Sequence, residues 1–197
     1  KIKQIVYLGG IANDSKTSRH LKSRTDTGIE LAKSGVPVLE LRAGIIIGSG
    51  SASFEMLRHL THRLPVMTTP KWVKNRTQPI AIRDVLYYLS KTIELSRPVS
   101  GIYDIGGPEV QTYEKMMQLF AEIAGLRKRL VIKVPVLTPA LSSLWIGFVT
   151  PVPTTLARPL VESLISEVVV DKDKDVHKLI PEPENGLTPT RTAIELA

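Results

Sequence analysis

Residues 5–10 (IVYLGG) and residues 37–48 (PVLELRAGIIIG) decide the fold of this chain. The first run is apolar and ends in two glycines. The second follows Pro37, which cannot continue a helix, and is apolar enough for a strand buried on both faces. Residues 18–34 between them have helical spacing, and Gly35 ends that segment. Strand, helix and strand predict a βαβ unit with parallel strands. Ligands of such sheets bind at the carboxyl ends of the strands, where these glycines lie.

The alternation of strands and helices continues as far as Gly125. Helices are expected at 51–63, 83–95 and 112–124, and a strand ending in Gly106-Gly107 is expected at 102–107. Beyond 125 the pattern changes to a strand at 131–136, an apolar segment at 138–149 and a helix at 154–165. We therefore predict an α/β fold with a parallel-sheet part at 1–125 and a smaller α+β part at 126–197. Residues 51–78 are expected to contribute to the smaller part.

Composition excludes several classes of function. The chain has 197 residues, 26 Lys and Arg against 19 Asp and Glu, and no Cys, so neither a disulfide scaffold nor a thiolate metal site is possible. The basic residues are scattered and only 5% of residues are aromatic, which does not favour nucleic-acid binding. The apolar run at 136–152 is short and interrupted by prolines, so no membrane span is expected. We also expect no metal site and a cytoplasmic location.

Four segments carry a resemblance to a known family. They are Gln4 to Gly10, Leu41 to Gly50, Pro79 to Val85, and Tyr103 to Glu109 followed by Thr112. Together they resemble the second half of an extended or atypical short-chain dehydrogenase/reductase, of the NAD(P)-binding, nucleoside-diphosphate-sugar epimerase-like type. The resemblance covers about residues 2–125 and depends on the order and spacing of the four segments.

The resemblance implies a fold and a function. The fold would be the C-terminal half of a Rossmann-like parallel sheet with a smaller α+β substrate-binding part. The whole protein would bind NAD or NADP and act as an oxidoreductase or epimerase on a nucleotide-sugar-like or other small carbonyl substrate. The cofactor would contact Gly9, Gly10, Arg24, Ala43, Gly44 and Ile45, and the substrate would contact Arg76 and Gln78.

The chain departs from the family at the phosphate loop. No Gly-x-Gly-x-x-Gly motif follows an early strand, although such a loop brings the backbone close to the pyrophosphate. We expect this chain to be the C-terminal portion of the cofactor cradle, and to be inactive alone. The remainder would come from preceding residues or from a second chain. Residues 2–8 would then form an exposed strand edge, which favours pairing between copies.

A second departure concerns the catalytic pair. The family uses Tyr-x-x-x-Lys on the crossover helix, and the matching positions here are His20 and Arg24, four residues apart on one helix face. Arg24 could bind ribose or phosphate, and His20 could transfer protons near neutral pH. Alternatively, both are exposed residues of a polar helix, and the chemistry has lapsed.

These departures leave two other functions open. The protein could be a non-catalytic dinucleotide-binding sensor or assembly factor, which the loss of the Tyr-Lys pair favours. Alternatively, this piece alone binds nothing. Asp104 lies on a strand that looks buried, and we expect it to be a hydrogen-bonded structural carboxylate.

Overall fold

The computed structural model describes residues 2–12, 18–69, 71–133, 160, 162 and 166–197. For residues 19, 20, 68, 69, 71, 72 and 133, only the backbone is described. The predicted apolar segment at 138–149 and most of the predicted helix at 154–165 lie outside the described residues. No helix within the described ranges is long and apolar enough to cross a bilayer.

Strands and helices alternate along most of the described chain. In chain order they are β1 (Ile5–Gly10), α1 (Arg19–Ala32), β2 (Val38–Ala43), β3 (Ile46–Ile47), α2 (Ala52–Arg63), β4 (Val66–Thr69), β5 (Arg76–Thr77), β6 (Ile80–Ala81), α3 (Ile82–Ile93), β7 (Gly101–Ile105), β8 (Gln111–Thr112), α4 (Tyr113–Ile123), β9 (Leu130–Lys133) and α5 (Thr190–Glu195). Short 3₁₀ helices lie at Lys71–Lys74 and Val176–Lys178.

The principal sheet has the order β1-β2-β7, and all its strands are parallel. Ile5 is paired with Val38 and Gly10 with Ala43, so the carboxyl ends of β1 and β2 lie side by side. All six residues of β2 are buried, as expected for a central parallel strand with helices on both faces. The predicted βαβ unit and the α/β fold class are confirmed.

The predicted continuous strand from 38 to 47 is wrong. β2 ends at Ala43, and the chain passes Gly44 into β3, which pairs in parallel with β6 in a separate two-stranded sheet. The Ile45 carbonyl accepts a hydrogen bond from the Ile80 amide (2.9 Å). An unbroken apolar run could not reveal this change of partner, because both halves satisfy the same burial pattern.

Helix α3 packs on one face of the principal sheet. Its Val85 and Tyr88 are fully buried in a cluster with Leu41, Ala43 and Ile105 from β2 and β7. Val176 and Ile180, from the end of the chain, join the same cluster. The C-terminal residues therefore pack against the predicted part at 1–125, and the domain boundary at residue 125 stays a prediction.

An ion pair is buried next to helix α1. Glu40 and Arg42 of β2 are 4% and 9% exposed, and Arg42 Nε donates to Glu40 Oε1 at 2.8 Å. Gly9 of β1 and Gly28 of α1 leave room for this carboxylate, because a Cβ at either position would collide with a Glu40 oxygen. Charges this deep are stable only when paired, so the two glycines and the arginine form one structural unit.

The second apolar cluster joins residues from distant parts of the sequence. Phe54 and Leu57 of α2 pack with Met116 and Phe120 of α4 and with Ile194 of α5. Nearby, β4 pairs in parallel with β9, so part of the segment at 51–78 adjoins residues beyond 125.

Candidate functional site

A cleft of about 400 Å³ opens at the carboxyl ends of β1 and β2. This is where ligands of open parallel sheets bind. The described residues that line the cleft come from β1, α1, the residues after β2, the start of α2, and later parts of the chain: Leu8, Gly9, Gly10, Ile11, Leu21, Arg24, Ala43, Gly44, Ile45, Ile46, Ser51, Ala52, Ser53, Tyr113, Leu160 and Val168.

All six predicted cofactor-binding residues line this cleft. Gly9 and Gly10 end β1, and Ala43, Gly44 and Ile45 end β2 and continue from it. The Ile11 amide donates to the Ala43 carbonyl (3.0 Å), which keeps the two chain segments together beyond the strands. The space that a Cβ would take is filled by Glu40 at Gly9 and by Val168 at Gly44, whereas at Gly10 it meets the flexible side chains of Leu21 and Arg24.

Arg24 reaches the cleft from helix α1. Ser18 caps this helix by accepting a hydrogen bond from the Leu21 amide (3.2 Å), which fixes where the helix begins. The half-buried Arg24 side chain donates from Nη1 to the Leu8 carbonyl (3.2 Å). Its guanidinium therefore lies at the end of β1 and retains further donors for an anionic or hydroxyl ligand. Its predicted catalytic role stays a prediction.

His20 lies in the first turn of α1, four residues before Arg24. The two residues share a face of the helix by spacing. The side chain of His20 lies outside the described residues, so its predicted role in proton transfer stays a prediction.

The start of helix α2 forms another wall. Ser51 is the N-cap residue and makes no side-chain capping hydrogen bond, and Ser53 lies within the first turn. Both residues line the cleft. The positive end of the helix dipole and two hydroxyl groups therefore adjoin the cleft at this point.

Arg76 and Gln78, the predicted substrate contacts, do not belong to the described lining of the cleft. Arg76 makes two hydrogen bonds to Glu167, at 2.9 and 2.8 Å, and this pair raises the pKa of Arg76 and lowers that of Glu167. The side-chain amide of Gln78 donates from Nε2 to the Gly107 carbonyl (2.7 Å), and its Oε1 accepts from the backbone amide of Val170 (3.1 Å). Both side chains thus already have partners within the protein, and their contact with substrate stays a prediction.

The cleft is poor in charge. Among its described lining residues, Arg24 is the one charged side chain, and none is acidic. Tyr113 is buried, and burial raises the pKa of its phenol, an effect that the neighbouring Thr77 hydroxyl opposes only in part. The phenol is therefore neutral at physiological pH.

Some lining residues were missed by sequence reasoning. Tyr113, Leu160 and Val168 reach the cleft from positions more than 60 residues beyond β2. Val168 lies against Gly44, where an added Cβ would come within 2.9 Å of Val168 Cγ1. No local sequence pattern marks these residues, because only the tertiary fold brings them to the strand ends. Asp104, in contrast, is buried and accepts from the Asp171 amide (3.1 Å), as predicted.

No protein-family model and no curated protein sequence matches the chain. Several solved structures match it in fold. A nucleoside-diphosphate-sugar epimerase from Staphylococcus aureus matches with a TM-score of 0.71 at 12% identity, over 98% of this chain and 65% of its own. An NADPH-dependent quinone oxidoreductase from Escherichia coli, complexed with NADPH, matches with a TM-score of 0.71 at 19% identity, over 98% and 65%. Triphenylmethane reductase from Citrobacter sp., complexed with NADP(H), matches with a TM-score of 0.68 at 16% identity, over 100% and 66%.

These likenesses define the class of fold. The chain has the Rossmann-like α/β fold of NAD(P)-dependent oxidoreductases and nucleotide-sugar epimerases, and the predicted resemblance is confirmed at that level. The chain spans 65% of the length of the first two structures.

Proposed function

We propose that this chain forms the nicotinamide side of the cofactor cleft of an NAD(P)-dependent oxidoreductase or epimerase-like protein. Its substrate would be a nucleotide-sugar-like or other small carbonyl compound. The observation that carries the proposal is the cleft of about 400 Å³ at the carboxyl ends of β1 and β2. In folds of this type the cofactor lies at that edge of the sheet, with its reactive ring near the substrate.

The predicted site residues have these roles in the proposal. Gly10 lets the backbone approach the cofactor, and Gly9, Ala43, Gly44 and Ile45 lie beside it. Arg24 holds a ribose hydroxyl or phosphate with the donors that Leu8 does not use. His20 holds or moves the proton that a carbonyl or hydroxyl group exchanges. The bound dinucleotide would supply the hydride chemistry.

A second candidate is a non-catalytic dinucleotide-binding sensor or assembly factor. The observation that favours it is the replacement of the Tyr-x-x-x-Lys pair on α1 by His20 and Arg24. A protein that retained the cleft but lost the proton-transferring pair could bind the cofactor without turnover.

Cofactor titration tests the first proposal. NADH and NADPH would be titrated with the full product of the reading frame that encodes this chain, and separately with the 197 residues alone. Binding would be read from the change in cofactor fluorescence. We expect the full product to bind one of the two cofactors. We expect weaker binding or none by the 197 residues, since they contain no Gly-x-Gly-x-x-Gly loop. Absence of binding by the full product would overturn the proposal.

Turnover separates the enzyme from the sensor. Absorbance at the nicotinamide band would be followed with a panel of aldehydes, ketones and sugar nucleotides. His20→Phe should abolish turnover but retain cofactor binding, whereas His62→Phe on helix α2 should leave both intact. Cofactor binding without turnover on any substrate would favour the sensor.

The edge of β1 supports a further proposal about assembly. Among the described residues β1 pairs only with β2, and Val6 and Ile2 are 36% and 72% exposed. We propose that copies associate through this strand, because an unpaired edge recruits another strand. Val6→Lys should shift the mass measured by light scattering towards the monomer. A monomeric unmodified protein would contradict this. A cytoplasmic location also stays a proposal.

A further inference from the structure

We infer that the substrate portion of this cleft takes an apolar carbonyl compound, such as an aromatic or alkyl ketone or a quinone, rather than a sugar nucleotide. The inference rests on the proposed function and narrows its substrate. It is drawn from the chemistry of the residues that line the cleft and from the partners of those that do not.

The walls of the cleft are mainly hydrocarbon. Leu8, Leu21, Ile45, Ile46, Leu160 and Val168 come from five separate parts of the chain and converge on one space. Apolar surface of this kind favours ligands that leave water easily, and it offers nothing to a hydroxyl group.

Apart from Tyr113, the polar side chains among the described lining residues lie at two ends of the cleft. Arg24 stands at the end of β1, where it already donates to Leu8, and it suits the cofactor's ribose or phosphate. Ser51 and Ser53 stand at the start of α2. One carbonyl oxygen could accept a hydrogen bond at the serine end while the rest of the molecule lies against the apolar walls.

Tyr113 also lines the cleft. The residue is buried, and most of its side chain is an aromatic ring.

Among the described lining residues, a sugar nucleotide would find few polar side chains besides Arg24, Ser51, Ser53 and Tyr113. Its hydroxyl groups need donors and acceptors, and the described lining residues include no carboxylate and no amide side chain. The predicted substrate contacts, Arg76 and Gln78, are held by Glu167 and by backbone groups. A buried hydroxyl without a partner costs free energy, so several of them would oppose binding.

Binding of prodan, a neutral fluorescent naphthyl ketone, tests the inference. Its emission shifts to the blue in an apolar site. Val168→Thr keeps the side-chain shape and adds a hydroxyl in the cleft, and we expect it to weaken prodan binding by about threefold or more. The matched control is Val85→Thr, which makes the same change in the buried face of α3 away from the cleft. It should leave prodan affinity unchanged in the folded protein.

Competition by UDP-glucose completes the test. The inference predicts saturable prodan binding that Val168→Thr weakens, Val85→Thr does not, and UDP-glucose does not displace. Displacement by UDP-glucose, absence of prodan binding, or equal affinity in the two variants would overturn it. NADPH titration is measured separately. Prodan binding in the cleft without NADPH binding would therefore refute the proposed cofactor function and leave the apolar preference standing.

Discussion

Two strands of the principal sheet lead into glycine pairs, and one pair borders the cleft while the other is enclosed by protein atoms. Gly9-Gly10 ends β1 and borders the cleft. Gly106-Gly107 follows β7 and is closed off, since the Gly107 amide donates to the Pro79 carbonyl (3.0 Å) and Gln78 caps the Gly107 carbonyl. A glycine pair at a strand end therefore marks a close approach of atoms. Whether the approaching atoms belong to a ligand or to the protein itself depends on the fold.

The two glycines of the first pair have different neighbours. The space beside Gly9 is filled by the Glu40 carboxylate, whereas Gly10 faces the mobile ends of Leu21 and Arg24. One glycine of the pair thus serves internal packing, and the other adjoins the candidate site.

The largest expected effect comes from the charge packed beside Gly9. Arg42→Met leaves Glu40 buried without its partner and should lower the free energy of unfolding by about 3–5 kcal/mol. Urea unfolding would measure this. Arg191→Met, which removes an exposed pair with Glu122, is the control and should have little effect. Equal losses in the two variants would show that the Glu40–Arg42 pair is not structural.

The next effect contrasts the two glycine pairs directly. Gly107→Ala would drive a Cβ into the Pro79 carbonyl and should cost about 3 kcal/mol of stability. Gly10→Ala would place a Cβ 2.9 Å from Leu21 Cδ2, which can move, and should cost about 1 kcal/mol or less. Gly10→Ala should instead weaken cofactor binding several-fold. If urea unfolding showed equal costs, the distinction between the two pairs would fail.

A smaller, pH-dependent effect is expected at Asp104, which precedes the second pair by two residues. Burial raises the pKa of this carboxyl above its ordinary value of 3.8, so folding favours its protonated form. The protonated carboxyl therefore stabilises the folded protein below pH 3.8. This stabilisation is lost as the pH rises through the raised pKa that Asp104 has in the folded protein. Asp104→Asn keeps an acceptor for the Asp171 amide and removes the titration. Its Tm should exceed the wild-type Tm by a few degrees at neutral pH, with the gain disappearing near pH 3.

A Tm gain for Asp104→Asn that was the same at every pH would contradict this account of Asp104. Asp26→Asn, on the exposed face of α1, is a matched control and should show no such neutral-pH gain.

The smallest effect is expected at Arg76, outside both glycine pairs. Its pair with Glu167 is exposed, so Arg76→Met should change the Tm little, and any change should shrink in high salt. The hydrogen bonds that the Glu167 carboxylate accepts from Arg76 lower the pKa of Glu167 below its ordinary value of 4.5. The pair therefore stabilises the folded protein above pH 4.5, and this stabilisation is lost as the pH falls through the lowered pKa. If Arg76→Met leaves the affinities for prodan and for the cofactor unchanged, Arg76 does not contact ligands of the cleft. A large loss of substrate affinity in this variant would instead support the predicted contact of Arg76 with substrate.

The sequence predicts what depends on local pattern. The helix between β1 and β2, the burial of β2 and the alternation of strands and helices follow from periodicity and proline positions. The change of partner strand after Gly44 and the closure of Gly107 by Pro79 do not, because both depend on which distant segment approaches. For the same reason, Val168 and Leu160 could not be predicted to line the cleft, whereas Gly9, Gly10, Ala43, Gly44 and Ile45 lie at or next to strand ends that the sequence marks. Their contact with a cofactor stays a prediction.

Hydrogen–deuterium exchange of the full reading-frame product, with and without NADPH, tests the central claim most directly. The claim is that the ligand site lies at the ends of β1 and β2 and not at the end of β7. NADPH should slow amide exchange in residues 8–12 and 43–53 and leave residues 105–111 unchanged. Protection confined to residues 105–111, or bound NADPH without protection of either of the first two segments, would contradict the claim.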